Sequence, residues 1–530
     1  MFVRKKKNRT GTISVVVVDK SNRGYKEIKN FGVVSSEDEA NILCARAREW
    51  IGTYGGQQVI DFGKTDAQER EQEETARAFA NIDAVFMNAP QLILNPIYDS
   101  IGFNRIPDEV LRHLVIARIC QPMSKMATVD YLRSHFDEYS SLDKIYYYMD
   151  KLYNTQQELV QEISVEHTRK ILGGHIGIVF YDCTTIYFES FIHDKLCEPG
   201  YSKDGKTKEN QVVIGLLVSA GGYPLAYSVF CGSQYEGFTM IPVVEDFVTR
   251  FHLTDFVVVA DSGLMTKKNV TLLQTGKYKY ILGARIRNEA KVIRDWILSQ
   301  EKKENTFCEY EKSHTIPDSD AETVNATKVI HERLIITYSK DRAKKDADNR
   351  RRGVERLRRA FGSGAIKKES INRRGYNKFL EISKDIGITI NEDKIVEDAQ
   401  WDGWKGYITN TDIEAKDVVS QYHGLWVVER AFRITKGNLE VRPVFHFTTR
   451  RIEAHICICF IAYKVYKELE RIMKLMKFPL SVDKALEIAK TIPTVTMRMP
   501  YNDKTQTQTL FLTDEQRSIK PLFDLKKYFG

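Results

Sequence analysis

The segment His175–Ser190, HIGIVFYDCTTIYFES, is a run of β-branched and aromatic residues with the carboxylate Asp182 at its centre. Such composition predicts a buried strand, and an ionised carboxylate inside it is costly unless something positive meets it. Downstream, QVVIGLLVSA (211–220) and PLAYSVF (224–230) predict two more strands with a turn at Ala220–Gly222. Thr239–Phe251 predicts a helix, DFVVVADSG (255–263) a short buried strand, Asn269–Gly276 a helix and YKYILGARI (278–286) a further strand. Three strands in a meander followed by helix, strand, helix and strand describe an α/β fold: a mixed sheet with helices on its faces.

Asp261 closes VVVAD just before Ser262 and Gly263, and strand ends facing helix N-termini are where open sheets gather functional groups. Two carboxylates on neighbouring strands repel unless a cation bridges them. A third acid comes from DVVSQYHGLWVVERAFRITKGN (417–438), read as part of one helix over Ala415–Gly437. There Tyr422, Glu429 and Lys436 recur every seven positions, and seven steps fall only about 20° short of two turns, so they predict one polar stripe, joined by Arg433. The apolar remainder, Val418, Val419, Leu425, Trp426, Val428 and Phe432, is expected to pack that helix on the sheet. Two Asp and one Glu are hard oxygen ligands suited to two Mg²⁺ ions roughly 3.5 to 4 Å apart, with Mn²⁺ as a substitute, for phosphodiester chemistry without a covalent protein intermediate. Taken singly, each has a plainer reading: Asp261 a turn or cap residue, and Glu429 with Arg433 a solvated i,i+4 pair.

Outward from this core, residues 1–35 predict a small strand pair, ISVVVVD and YKEIKNFG about a turn at Ser21–Gly24. Residues 36–173 predict a helical region, Glu37–Trp50, PDEVLRHLVIARIC (107–120), Lys125–Phe136 and Leu142–Leu152, the last two spaced like a helix-turn-helix and so read either as DNA-binding or, more commonly for such pairs, as merely packed helices. Residues 174–286 form the first part of the catalytic core, 287–404 an insertion with the strand-like TKVIHERLIITYS (327–339) and a basic stretch from Arg342 to Arg374, 405–476 the second part, ending in a helix over Ile452–Met476, and 477–530 a tail.

The 530 residues carry 79 Lys and Arg against 71 Asp and Glu, a net charge of +8 that agrees with a polyanionic partner without requiring one. The eight cysteines lack paired CxxC spacing, which argues against structural zinc and for a reducing cytoplasm. The apolar run near the N-terminus ends at Asp19, and HICICFIAYKVYKELE (455–470) is interrupted by Lys464, so neither an export signal nor a membrane span is expected.

The segments YDCTTIYFE, GYSKDGKTKENQVVIGLLV, VVVADSGLMTKKN and YHGLWVVERAFRITKGNLEVRPVFH, with ARICQPMSKMATVDYL upstream, resemble DDE-class insertion-sequence transposases. The resemblance is to the subgroup with a Tyr-Arg-Glu-Lys signature on the last catalytic helix, and it covers most of the chain. It implies a ribonuclease-H-like core interrupted by a β-rich, basic insertion, with Asp182, Asp261 and Glu429 as catalytic and metal-binding residues. It further implies cleavage and strand transfer at terminal inverted repeats, transposon-end and target DNA as partners, and a homodimer on DNA. A cytoplasmic, nucleoid-associated place in a bacterium or archaeon goes with it. Tyr422 and Lys436 match the signature, whereas its Arg position is Leu425, so that phosphate contact is missing or comes from Arg430 or Arg433. Arg351, Arg352, Arg358 and Arg359 are expected to grip phosphates. A related nuclease or resolvase that cuts without joining, and a non-catalytic DNA-binding regulator, are the alternatives. Trp401 and Trp404 are read as core or as stacking platforms, His446 and His455 as packing residues, and Lys203, Lys206 and Lys208 as a solvated loop.

Overall fold

The computed structural model describes residues 1–529 except 22–23, 55–61, 189–195, 201–208, 254, 318–326, 364–374, 384–386, 442–445 and 500–503. Lys203, Lys206, Lys208 and the end of the basic stretch, including Arg373 and Arg374, lie outside the described residues. Two compact units emerge, Met1–Ala84 with Thr496–Thr507, and Val85–Val495 with Gln508–Gly530.

The first unit opens with three strands, not a pair: β1 (Phe2–Lys7), β2 (Ile13–Asp19) and β3 (Lys26–Val34), with β2 in the centre. The added strand is FVRKKK, which pairs antiparallel with β2 from Phe2 opposite Val18 to Lys7 opposite Ile13. Its lysines made it look like a basic leader, and exposed lysines are what keeps an edge strand from recruiting further strands. Helix α1 (Glu37–Thr53), capped by the Ser36 hydroxyl, lays Ala40, Cys44 and Ala47 on Val15 and Val17. Helix α2 (Phe62–Ala80) and strand β4 (Ile82–Phe86) follow. Arg498, from the returning segment, donates its backbone N–H to the Asn81 carbonyl and pairs with Asp83.

In the second unit come α3 (Ala89–Ile101), α4 (Glu109–Cys120), α5 (Lys125–Phe136), α6 (Leu142–Thr155) and α7 (Gln157–Ile171). The sheet then begins with β5 (Ile178–Tyr187), β6 (Glu198–Pro199), β7 (Asn210–Ser219) and β8 (Pro224–Cys231). It alternates with helices through α8 (Met240–Phe251), β9 (Val257–Ala260), α9 (Lys267–Thr275), β10 (Lys279–Ala284) and α10 (Lys291–Ser299). A long hairpin, β11 (Phe307–Pro317) and β12 (Thr327–Tyr338), leads to α11 (Lys340–Gly362), the small pair β13 (Leu380–Ser383) and β14 (Gly387–Ile390), and α12 (Glu392–Gln400). Strand β15 (Trp404–Thr409) precedes α13 (Ala415–His423), α14 (Trp426–Lys436) and α15 (Thr449–Leu475). The chain ends with α16 (Val482–Ala489), β16 (Thr494–Arg498), β17 (Thr505–Thr509) and α17 (Asp514–Ser518).

The main sheet runs β11-β12-β15-β10-β9-β5-β7-β6, with β8 also on β7. Strands β5, β9 and β10 are parallel and the other pairs antiparallel, the mixed sheet expected. The hairpin between residues 287 and 404 is continuous with this sheet, because Leu334 and Ile336 of β12 pair with Ile408 and Gly406 of β15. Period-two alternation decides what each face meets. On β5, Val179, Tyr181 and Cys183 pack under α8 and the helices beside it, while Phe180 and Ile186 face the layer built around α14 and α15. Helix α15 packs against α3, α4, α6 and α7 and is buried along almost its whole length. Among the described residues no helix is long and apolar enough to cross a membrane.

The expected single helix over Ala415–Gly437 is two helices, broken at Gly424 and Leu425. There the bonds tighten to i,i+3, with Leu425 donating to Tyr422 and Val428 to Leu425. Gly424 lies against the ring of Phe180, where a Cβ would sit 2.5 Å from the ring tip. The chain passes so close to β5 there that only glycine fits, and the seven-residue stripe therefore spans a break.

Candidate active site

In the β5 and β9 pair the last registered partners are Tyr181 and Ala260. Asp182 and Asp261 are the next residues on each strand, so two carboxylates leave adjacent parallel strands at the same level. Alternation sends both to the side of Phe180 and Val259, the side covered by α13 and α14. Strand β10 supplies Gly283 at the next position beyond the Leu282 and Ala260 pair, beside Asp261. Asp182, Asp261 and Glu429 line one cavity of about 330 Å³ together with Lys405, Tyr422, His423, Leu425, Trp426 and Val428. The helix break leaves the buried Tyr422 on α13 and the exposed Glu429 on α14 facing this common space.

Asp261 Oδ1 accepts a 2.7 Å hydrogen bond from the Tyr422 hydroxyl. Its surroundings crowd the carboxyl and push its pKa up. The Tyr422 hydroxyl, the backbone N–H groups of Ser262 and Gly263 and the Lys405 ammonium outweigh that and hold it below its ordinary value. Burial, with the Asp261 charge beside it, raises the Tyr422 phenol, so it stays a neutral donor. Asp182 Oδ1 accepts from the backbone N–H of Cys183 at 2.8 Å. The loop after Asp261 is pinned by Arg285, which donates to the carbonyls of Ser262 at 2.9 Å and Gly263 at 3.0 Å.

Lys405, which plays no part in the sequence reading, comes from β15 and lies over the Tyr422 ring at 4.3 Å. Burial and the Arg342 charge lower its pKa, while Asp261 and Glu429 pull it back up. A lysine between Trp404 and Gly406 in a buried strand is the same signal as Asp182, an ionisable group in an apolar run. His423 is lowered by burial and by Lys405, which leaves it neutral near pH 7. Trp426, expected to pack on the sheet, is instead 56% exposed at the cavity, because its position just past the helix break turns it outward.

A second cavity of about 580 Å³ shares Asp261, Tyr422 and Lys405 and extends to Arg285, Arg287 and Arg342. Trp401 and Trp404 line it, and Trp404 is 4% exposed with its indole N–H unpartnered.

The other candidates are dispersed. Lys436 turns onto β5 and donates to Thr184, on the same face as Asp182. Arg430 pairs with Glu470 of α15. Arg433 is exposed and forms no ion pair with Glu429. On α11, Arg351 pairs with Asp348 and Glu355, Arg358 with Glu392, and Arg352 donates to Asn349, while Arg359 is exposed. Such exposed pairs are worth about 0 to 1 kcal/mol and exchange readily for phosphate contacts.

As donors, three carboxylates around one cavity suit a hard divalent cation. Among the described residues, however, no three His, Cys, Asp or Glu side chains are already gathered as a ligand set for one ion.

Gly283 is what lets this arrangement close. A Cβ there would lie 2.5 Å from the Tyr422 hydroxyl and 2.9 Å from the Ser262 nitrogen. Gly283→Ala is therefore expected to push Tyr422 off Asp261, costing about 1 to 3 kcal/mol of stability and roughly 10- to 100-fold in turnover. Unchanged thermal midpoint and turnover would show that the contact is slack.

The family described as Transposase DDE domain matches residues 173–464, more than half of the 530 residues. No curated protein matches the chain in sequence. A solved cryo-EM structure, the piggyBac transposase synaptic complex with hairpin DNA, is similar at a TM-score of 0.36 and 10% identity, covering 80% of this chain and 72% of that chain.

Proposed function

The chain belongs to the DDE transposase family, and from that premise we propose that it cuts and rejoins DNA at the terminal inverted repeats of an insertion sequence, with Asp182, Asp261 and Glu429 as the acting carboxylates. The observation that carries this reading is the level placement of Asp182 and Asp261 on adjacent parallel strands, with Glu429 on the wall of the same cavity. Magnesium ions held by these three residues would supply Lewis acidity at the scissile phosphate and a more acidic attacking hydroxyl. The chain's own part is positional. Tyr422 fixes Asp261 through its Oδ1 oxygen, Arg285 fixes the backbone behind it, and Lys405 sets a positive charge near both Asp261 and Glu429. Lys436 spans from α14 to Thr184 and ties the Glu429 helix to the strand of Asp182.

The partner in this reading is double-stranded DNA, transposon ends and target, gripped in part by α11 through Arg351, Arg352, Arg358 and Arg359, with Arg433, exposed on α14, as a further contact. Two copies acting together on paired ends, in the cytoplasm alongside the nucleoid, complete the proposal. Leu425 stands where the signature has Arg, and Arg430 is engaged with Glu470, so the exposed Arg433 is the α14 arginine left for a phosphate contact.

A duplex ending in the element's terminal repeat with a free 3′-hydroxyl, incubated with a plasmid target and Mg²⁺, is expected to yield joined product. Cut DNA without joined product would favour a nuclease or resolvase, and bound DNA left intact a regulator.

The Tyr422 contact carries a pH signature. Tyr422→Phe removes the largest of the influences that lower Asp261, so its pKa rises toward or past the ordinary 3.8. Because the folded value is depressed, the wild-type contact adds stability above that ordinary value and loses it as pH falls through the folded value. The variant is thus expected to show a smaller acid-side loss of stability and an acid limb of the cleavage profile moved to higher pH. Superimposable profiles would remove Tyr422 from this role.

A further inference from the structure

The helix-turn-helix-like pair α5 and α6 begins beside a cavity that the proposed chemistry does not use. This space of about 150 Å³ lies between the N-terminal turn of α5, the start of α6 and the first turns of α15, and Arg118, Ser124, Lys125, Tyr146, His446 and His455 line it. Arg118 and Lys125 are 6% and 5% exposed, far below what is normal for charged side chains. Among the described residues neither forms an ion pair. Arg118 donates to the Met123 carbonyl at 3.1 Å, and Lys125 Nζ meets His455 Nδ1 at 3.3 Å. His455 Nε2 is 3.3 Å from the Val441 carbonyl, to which it donates, so its Nδ1 is the acceptor for Lys125 and the ring is neutral. Glu440 is the only carboxylate on the wall among the described residues, and it pairs with neither cation.

Two buried cations with no counter-charge among the described residues are expensive to keep. Burial, and then the Arg118 charge, press Lys125 down to about 7, and burial with Lys125, Arg118 and Arg451 presses His446 down to about 3. Apart from Glu440, the charged side chains that line the cavity are cationic. Ser124 caps α5 by accepting from Ala127 N–H, so the first-turn amides of a twelve-residue helix add their partial positive charge at the mouth. At the rim the Arg451 guanidinium lies 4.3 Å over the Tyr146 ring.

We infer that this cavity is a binding site for a phosphate group, with Arg118 and Lys125 as its charged ligands and the α5 amides and the His446 ring as neutral donors. A tetrahedral oxyanion supplies the negative charge that the guanidinium and the ammonium lack among the described residues, where their acceptors, the Met123 carbonyl and the His455 ring, are neutral. The site belongs to the sequence ARICQPMSKMATVDYL, where Arg118 and Lys125 fall on either side of Pro122 and both line the cavity. A backbone phosphate of DNA and free inorganic phosphate present the same chemistry. The first rests on the proposed function and the second does not.

Two measurements on the full chain separate them, each with wild type, Lys125→Met and Arg118→Gln. In the first, the thermal midpoint is followed against inorganic phosphate at constant ionic strength, with chloride as control. Wild type is expected to rise with phosphate concentration and both variants to stay flat. In the second, affinity for a linear DNA duplex is measured against salt. A backbone phosphate in the site predicts that each variant lowers the magnitude of the log–log slope by about 1. A response in the first alone assigns the site to free phosphate, and a slope change assigns it to DNA. If wild type and folded variants agree in both, the inference is wrong. A wild-type chain that binds no duplex would instead count against the proposed function, with the phosphate titration still deciding the site.

Discussion

Changing Asp182, Asp261 or Glu429 to Ala, one at a time, is expected to cut strand cleavage by roughly 10³-fold or more while leaving affinity for a transposon end nearly unchanged. The size follows from removing a group that acts only as charge develops on the scissile phosphate, for which losses of this order are usual. The selectivity follows from placement. All three carboxylates are anionic, so they repel the DNA backbone in the ground state and their loss does not weaken docking. Asp261→Ala should also free Tyr422, whose hydroxyl loses its acceptor, and a modest fall in thermal midpoint should accompany it. Glu429 is exposed and has no such hydroxyl donor among the described residues, so Glu429→Ala should be thermally silent. Because members of one metal-binding set act as a unit, double variants should be scarcely worse than single ones. Cleavage that survives in any one variant removes that residue from the set, and multiplicative losses in a pair would separate their roles.

Why these three residues were readable from the chain, and the others not, has a physical basis. Asp182 and Asp261 each stand against a local background of apolar strand residues, so a local pattern marks them. Their level placement depends on β5 and β9 pairing in register across a long stretch of chain, and no local pattern encodes that. The same limit hid β12 beside β15, although TKVIHERLIITYS was recognisable as a strand. The helix break was missed for a different reason. Glycine inside a helical pattern costs only about 1 kcal/mol, so it does not by itself predict a break. What breaks this helix is the approach of Gly424 to Phe180, a tertiary contact. Lys405 went unread because in WDGWKG (401–406) the two tryptophans, Trp401 and Trp404, are the conspicuous residues, read as core or as stacking platforms. Strand β1 went unread because an edge strand with one part-buried side chain, Val3, has almost no alternation to detect.

Glu468→Ala is expected to be the most destabilising single change near the core, by about 3 to 5 kcal/mol, the range for stranding a buried charge. Glu468 sits in the C-terminal third of α15 with no exposure at all, and its two oxygens accept from Arg471 at 2.8 and 2.6 Å. Arg471 in turn donates to the Tyr528 carbonyl at 3.0 Å, so the pair also secures the C-terminal turn. Lys464, one turn earlier and equally buried, is pushed by burial down to about 7 and is held up mainly by the Glu468 charge. Its ammonium donates to the Ser164 carbonyl at 3.0 Å and to Thr168, which joins α15 to α7. Removing Glu468 therefore strands one cation and lets another lose its proton. His167 does not compensate, since burial drives it down to about 2 and leaves it neutral. Replacing both partners, Glu468→Met with Arg471→Met, should recover most of the loss, because an apolar pair carries no desolvation penalty. Urea unfolding of the single and double variants tests this: a single variant within about 1 kcal/mol of wild type, or a double variant worse than either single, would mean that packing and not charge pairing holds α15 in place.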